Sequence, residues 1–281
     1  MASGSLLFHR HITFPDLPEA LVGFRIAHLT DLHITRRRRR HDAIIEAMAG
    51  VDVDLIVFTG DYMSTHRVPP ATTPELKRIA ESMACTHGVW GVWGNHDLDA
   101  LRAASDELPI RWLNDEAVVL GDLPVVLAGM DVDTDWRMDC ITAAEAMYDA
   151  KRDAARNLPA GRAAGASTDE SRPFCLLLAH IPVVLPTAAA LGVDLMLSGH
   201  THCGQIRLPG KRALINSTDL PAALTSGVIR HRDTVSLTSR GLGEVGLPFR
   251  ICCPPHLPIY TLERGPLPGE YTDELINVEP W

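Results

Sequence analysis

Seven side chains able to bind a divalent cation stand where apolar runs of this sequence end: Asp31, His33, Asp61, Asn95, His180, His200 and His202. Asp31 and His33 are two positions apart, so on extended chain both point to one side and can grip one ion. His200 and His202 repeat the spacing after a glycine. Seven oxygen and nitrogen donors exceed one four-coordinate zinc site and suit two ions. With no thiolate among them, the set suits Mn, Fe, Zn or Co. Two such ions about 3.5–4 Å apart polarise a phosphoryl oxygen, generate hydroxide at neutral pH and stabilise entering and leaving oxygens. One carboxylate has to bridge them, and Asp61, which comes alone, is the candidate. Next to Asn95, His96 can move a proton near neutral pH, and Asp97 can fix which ring nitrogen carries it.

Each cluster alone is weak evidence. Asparagine and aspartate after glycine usually make a turn, and a lone histidine after an apolar run is more often structural. The weight lies in five clusters, each placed where a strand is expected to end.

Residues 24–30 read as a first strand delivering Asp31. Residues 54–59 read as a strand whose apolar residues, Leu55 to Phe58, are continuous, as in a parallel strand covered on both faces, and lead to Gly60-Asp61. Residues 89–93 lead to Gly94-Asn95-His96-Asp97, 174–179 to His180, and 194–198 to Gly199-His200-Thr201-His202. Between them, 42–49 has a helical face of Ile44, Ile45 and Met48, with Gly50 as its stop. Thr73-Pro74-Glu75 reads as a capped helix start, with Leu76, Ile79, Ala80 and Met83 on the buried face. Strand and helix alternate as in a parallel sheet with crossover helices.

A hairpin is expected over 117–128, and the acids after it, Asp131 and Asp133, either line the site or cap a turn. An alanine-rich helix is expected over 138–157, a mobile loop over 159–172, and further strands over 205–208, 234–238 and 259–262. Glycines at 241, 243 and 246 indicate a tight loop over 239–250 close to another backbone; no crossover helix follows, so it is no dinucleotide site. Residues 1–20 and the tail from about 266 are expected to be peripheral to one domain spanning 1–281. Arg36 to Arg40 read first as a solvated, self-repelling loop. The second reading is a rim attracting anionic substrate or lipid headgroups, which would allow peripheral membrane contact.

The chain of 281 residues is 46% hydrophobic but only 5% aromatic, which suits an aliphatic sheet covered by helices. A net charge of -9 argues against coating nucleic acid, yet leaves room for an anionic substrate where metal ions reverse the local potential. The six cysteines have no C-x-x-C spacing and read as free thiols of a reducing compartment. The first fourteen residues hold only the short apolar run Leu6-Leu7-Phe8, too little for a signal peptide. No apolar stretch reaches about 18 residues, so no membrane span is read and the expected location is cytoplasmic.

In this order, Asp31-x-His33, Gly60-Asp61, Gly94-Asn95-His96-Asp97, His180 and Gly199-His200-Thr201-His202 resemble the calcineurin-like metallophosphoesterase superfamily. The resemblance covers nearly the whole chain and implies an α/β fold of four α-β-β-α layers, two mixed β-sheets flanked by helices. It implies Asp31, His33 and His202 on a first metal, Asn95, His180 and His200 on a second, and Asp61 bridging. His96 would protonate the leaving group or steady the transition state, oriented by Asp97. The segment 199–206, with Ser239-Arg240-Gly241-Leu242-Gly243 and Leu247-Pro248, is similar to the bacterial YkuE/YaeI-like phosphodiesterases and makes Arg240 a candidate substrate contact. Cys203 departs from the glycine expected in that branch. So does the lack of the membrane anchor or export signal with which those relatives often begin. Trp93 stands where the Ser/Thr protein phosphatases would carry arginine.

The activity implied is a dinuclear metal-dependent hydrolysis of a phosphodiester or pyrophosphate in a small anionic ester, by in-line attack of a metal-bridging hydroxide. The alternatives are a catalytically silent binding scaffold with the same fold, and a nuclease, for which Arg36–Arg40 would be the only basic channel.

Overall fold

A computed structural model describes residues 6–64, 67–131, 149, 172–207, 213 and 221–281. Its strands are β1 (Leu7–Phe14), β2 (Arg25–Leu29), β3 (Leu55–Thr59), β4 (Val89–Val92), β5 (Arg111–Trp112), β6 (Glu116–Val119) and β7 (Val125–Met130). They continue with β8 (Phe174–Ala179), β9 (Leu195–Ser198), β10 (Gly227–His231), β11 (Thr234–Thr238), β12 (Leu257–Arg264) and β13 (Ile276–Glu279). Two mixed sheets result, ordered β1-β12-β2-β3-β4-β5 and β13-β10-β11-β9-β8-β7-β6. Parallel runs form the middle of each, β2 to β5 in one and β11-β9-β8-β7 in the other. Because strands of a parallel run share one direction, the loops after β2, β3 and β4 leave one rim, as do those after β8, β9 and β11.

The sheets stack through alternate side chains. Ile26, Leu55 and Val57 meet Leu127, Leu176, Leu195 and Leu237 in the layer between them. The intervening residues Ala27, Ile56 and Phe58 face the helices α1 (Arg39–Met48), α2 (Thr72–Glu81) and α3 (Asp99–Arg102) through Ile44, Met48, Leu76, Ile79 and Leu101. On the far side Ala128, Cys175, Leu177 and Met196 pack on Leu185 and Ala188 of α4 (Leu185–Ala190). Covered on both faces, β3, β8 and β9 are buried at every position, which is why their sequences are continuously apolar. These are the four layers expected of the chain. Among the described residues no helix is long and apolar enough to cross a membrane.

Several expectations change. Residues 6–20 are not simply peripheral. β1 runs parallel to β12 over eight residue pairs, and Ile12, Phe14 and Leu17 are buried in the inter-sheet core. The C-terminal tail adds β13 to β10, and Trp281 is buried against Tyr260 and His256. Helix α1 begins three residues early, inside the arginine run, and α2 begins at Thr72 with no side-chain cap. The Thr72 hydroxyl instead donates to the carbonyl of Ile34 at 2.8 Å, tying α2 to the loop after His33. Of the strand expected over 205–208, Ile206 and Arg207 make only single bridges, since Cys203 and Gln205 turn through positive φ just before them. The hairpin forms as β6 and β7. The expected helix over 138–157 and loop over 159–172 lie outside the described residues, except for Asp149 and Arg172.

Phe14 contacts Phe174 edge-on at 5.0 Å between ring centres and is 3% exposed. Phe14→Ala is expected to cost about 3–5 kcal/mol of unfolding free energy. Urea denaturation measures it, and a loss below about 1 kcal/mol would return the N-terminal strand to the periphery.

Candidate metal centre

The strand ends bring the predicted donors together in two groups that share one residue. Asp31, His33, Asp61 and His202 form the first, and Asp61, His180 and His200 the second, with the ligand atoms of each within 4.8 Å of one another. In the first, His33 Nε2 lies 2.8 Å from His202 Nε2 and 3.6 Å from Asp61 Oδ2, and His202 Nε2 is 3.3 Å from Asp31 Oδ1. In the second, His180 Nε2 lies 3.3 Å from Asp61 Oδ1, 3.3 Å from His200 Nδ1 and 3.1 Å from Asn95 Oδ1. Asn95 thus joins the second group through its amide oxygen. Asp31 and Asp61 are 0% and 2% exposed, whereas Asn95 is exposed and His96 half-buried, so the cluster opens on the Asn95 side.

The backbone route differs from the extended pairing read from the sequence. Asp31 (φ 53°), His33 (47°), Asp61 (57°), His200 (67°) and His202 (49°) are all left-handed. Such a conformation costs a non-glycine residue on the order of 1–3 kcal/mol and collects at functional sites. Here it turns the chain abruptly as each strand ends and aims the donor inward.

Hydrogen bonds fix the carboxylates and rings. Asp31 accepts from the Thr30 hydroxyl (2.8 Å) and the His200 N–H (3.1 Å), and Asp61 Oδ1 accepts from the His96 N–H (2.9 Å). These approaches leave no room for a side chain. A methyl group on Gly94 would collide with Asp61, and one on Gly199 with Thr30 and Asp31. Since a carbonyl only accepts, His33 Nδ1 donates to Met63 O (3.1 Å) and His180 Nδ1 to Thr59 O (2.6 Å), leaving each Nε2 turned to the cluster.

Asp97 has partners other than the His96 ring. Its carboxylate accepts three main-chain N–H groups, those of Asp61 (2.8 Å), Tyr62 (2.7 Å) and Gly94 (2.8 Å). It therefore clamps the loop after β3 to the loop after β4 and positions both Asp61 and Asn95. Arg240 is half-buried, and its charge bears on Cys203, Cys253 and His256, a cluster behind His202. The arginine that meets the donors is Arg250, whose Nη2 donates to His202 Nδ1 at 3.0 Å. Nothing in its sequence neighbourhood signals that role. Cys203 itself has φ 55°, the backbone that a glycine adopts freely, which explains the residue expected there. Asp131 forms a bidentate pair with Arg102 (2.8 and 3.2 Å) rather than lining the site, and Asp133 lies outside the described residues. Trp93 is buried and stacks on Trp112 at 3.7 Å, as a wedge behind the Asn95 loop. The tight loop over 239–250 does meet another backbone, since Leu242 and Gly243 donate to the carbonyls of Thr30 (3.1 Å) and Asp31 (2.6 Å).

The donor chemistry fits divalent ions. Burial pushes Asp31 up to about 7, against the pull of His180. Burial also holds His33 down at about 4 and His202 well below its usual value. Burial alone would lower His180 too, yet the Asp61 carboxylate beside it holds it up to about 10. With His33 and His202 uncharged, His180 is the imidazole of the cluster held protonated against the buried carboxylates, and cations between them would supply further positive charge. Binding must displace protons from His180 and Asp31, so it strengthens as pH rises.

Two outcomes follow. The rise in Tm caused by Mn²⁺ over EDTA should be larger at about pH 8 than at about pH 6, measured by scanning calorimetry; an equal or smaller rise contradicts the proton displacement. Asp97→Asn sets an amide NH₂ against main-chain donors and should cost about 1–3 kcal/mol of stability. A residue that only oriented His96 would leave Tm unchanged on that substitution.

The sequence pattern of the calcineurin-like phosphoesterase family matches residues 24–204. The chain is 24% identical to the metallophosphoesterase YkoQ of Bacillus subtilis, over 84% of this chain and 83% of that one. It is 26% identical to YkuE of the same organism, over 88% and 82%. A Helicobacter pylori metallophosphoesterase is 28% identical over 82% of this chain and 57% of its own length. The matched region begins just ahead of β2, ends two residues past His202 and contains all seven donors, and the chain belongs to the calcineurin-like phosphoesterase family.

Proposed function

We propose that the protein is a dinuclear metal-dependent hydrolase of phosphodiester or pyrophosphate linkages in small anionic esters. The observation that carries this is the sharing of Asp61 between two donor groups, which supports a bridging carboxylate. On this reading Asp31, His33 and His202 would hold one ion, Asn95, His180 and His200 the other, and Asp61 would serve both. A set without thiolate supports Mn, Fe, Zn or Co. When bound, such ions supply Lewis acidity and a nucleophile at neutral pH.

The chain's own residues do the rest. Asn95 and His96 stand at the open side, where substrate would enter. The His96 main chain is pinned to Asp61, and its ring lies 5.4 Å from that of His33. From there it hands a proton to the departing oxygen or steadies charge on the phosphoryl group. Arg250 is turned to His202 and so does not clamp the extra charge of a terminal phosphate. That supports a singly charged diester or pyrophosphate linkage over a monoester. Arg37 pairs with Asp42, and Arg38 and Arg40 with Glu244, which weakens the arginine run as a nuclease channel. No disulfide joins Cys85, Cys175, Cys203, Cys252 or Cys253 among the described residues, which supports a reducing, cytoplasmic setting.

The test is hydrolysis of bis(p-nitrophenyl) phosphate with Mn²⁺. His96→Gln should lower kcat about 10²–10⁴-fold with metal content unchanged. Asn95→Ala should lower both turnover and bound metal. Equal rates in wild type and both variants would sink the assignment.

A further inference from the structure

We propose that the loop from Gly246 to Cys252, together with the arginines that lead into α1, is a docking face for an anionic phospholipid bilayer. Five large apolar side chains are exposed among the described residues, and three lie on this one loop: Leu247 (44%), Phe249 (47%) and Ile251 (46%). They alternate with Arg250, which turns inward, so the loop presents one apolar edge outward and is anchored from behind. Arg250 Nε donates to Gly243 O at 2.9 Å, and the Gln205 amide donates to the carbonyls of Val245 (3.0 Å) and Leu247 (2.9 Å) and accepts the Val245 N–H (2.9 Å). A held loop that keeps its apolar residues in water marks an interaction surface.

Charge identifies the occupant. Glu244, three residues before Leu247, is ion-paired with Arg40 and faces Arg38 at 3.9 Å, which joins this loop to the arginine run. With Glu244 neutralised, Arg36 and Arg39 remain exposed without an acidic partner among the described residues. On a chain of net charge -9, an anionic bilayer is repelled by most of the surface and accepted at this edge, where Glu244 ties the apolar loop to the arginine run. Apolar side chains entering the headgroup boundary beside arginines are the chemistry of interfacial binding. A soluble polyanion would leave Phe249 and its neighbours unused. The proposal does not depend on which ester is cleaved.

The test is flotation of the full chain with phosphatidylcholine vesicles, with and without phosphatidylglycerol, at low salt. Wild type should bind the anionic vesicles and leave the neutral ones largely free. Leu247→Ser with Phe249→Ser, and separately Arg36→Glu with Arg39→Glu, should each weaken binding about tenfold or more. Tm should stay unchanged in both variants. Absence of wild-type binding, or binding that survives both variants, overturns the proposal. So does a wild-type dimer in light scattering that the Leu247/Phe249 variant dissociates, which would assign the edge to a second copy of the chain.

Discussion

A carboxylate with almost no access to water, Asp61, sits between two sets of imidazoles, and the rest of the molecule is arranged to tolerate it. One oxygen faces His180 at 3.3 Å and accepts the His96 N–H, and the other faces His33 at 3.6 Å. Burial of an unpaired carboxylate would be prohibitive. The sheets offset that by ending β2, β3, β4, β8 and β9 around it, so that donors from five strand ends share one space. Side chains that would coordinate ions are therefore also knots in the fold. Asp31 fastens the His200 loop as Asp61 fastens the His96 loop, and Asp97 ties the two loops that carry Asp61 and Asn95.

Much of this was legible in the sequence for a physical reason. Central parallel strands are covered on both faces, so residues 55–58, 174–179 and 195–197 are apolar without interruption and could be told from helices by their length. Strands at the edges lack that mark. β1 carries His9, Arg10 and His11, of which Arg10 and His11 make exposed pairs with Glu279 and Glu263, and β13 is only half-buried throughout, so both looked like peripheral chain. The donors themselves were visible because each follows a strand end. Their conformation was not: an i, i+2 spacing suggests extended chain, whereas Asp31 and His33 reach the same ion space through two left-handed residues. Nor could spacing show that Asp97 gives its whole carboxylate to main-chain N–H groups, or that Arg250, 48 residues beyond His202, lies behind it.

The distribution of arginines follows from the same electrostatics. A cluster awaiting cations gains nothing from permanent positive charge pointing into it. Arg250 hydrogen-bonds the cluster through the far nitrogen of His202, and its other partners are carbonyl oxygens and the Cys253 thiol. Arg240 is set further back among the thiols. Arg37, Arg38 and Arg40 are drawn toward Asp42, Glu75 and Glu244 instead of toward the donors. Selecting against a misplaced guanidinium is as much a part of the site as selecting for imidazole.

Protons resolve how the cluster survives before any ion arrives. A guanidinium can only donate, so the contact at His202 Nδ1 places the proton of the neutral ring on Nε2, directed at His33 Nε2 2.8 Å away. His180 stays charged beside Asp61, and below about pH 7 Asp31 takes up a proton of its own. These protons occupy the positions and supply part of the charge that cations would bring, which lets left-handed, buried ligands fold into place first. An ion then exchanges with protons in a space already shaped for it. The strain of five left-handed donors is met in folding, so it need not be met again on binding.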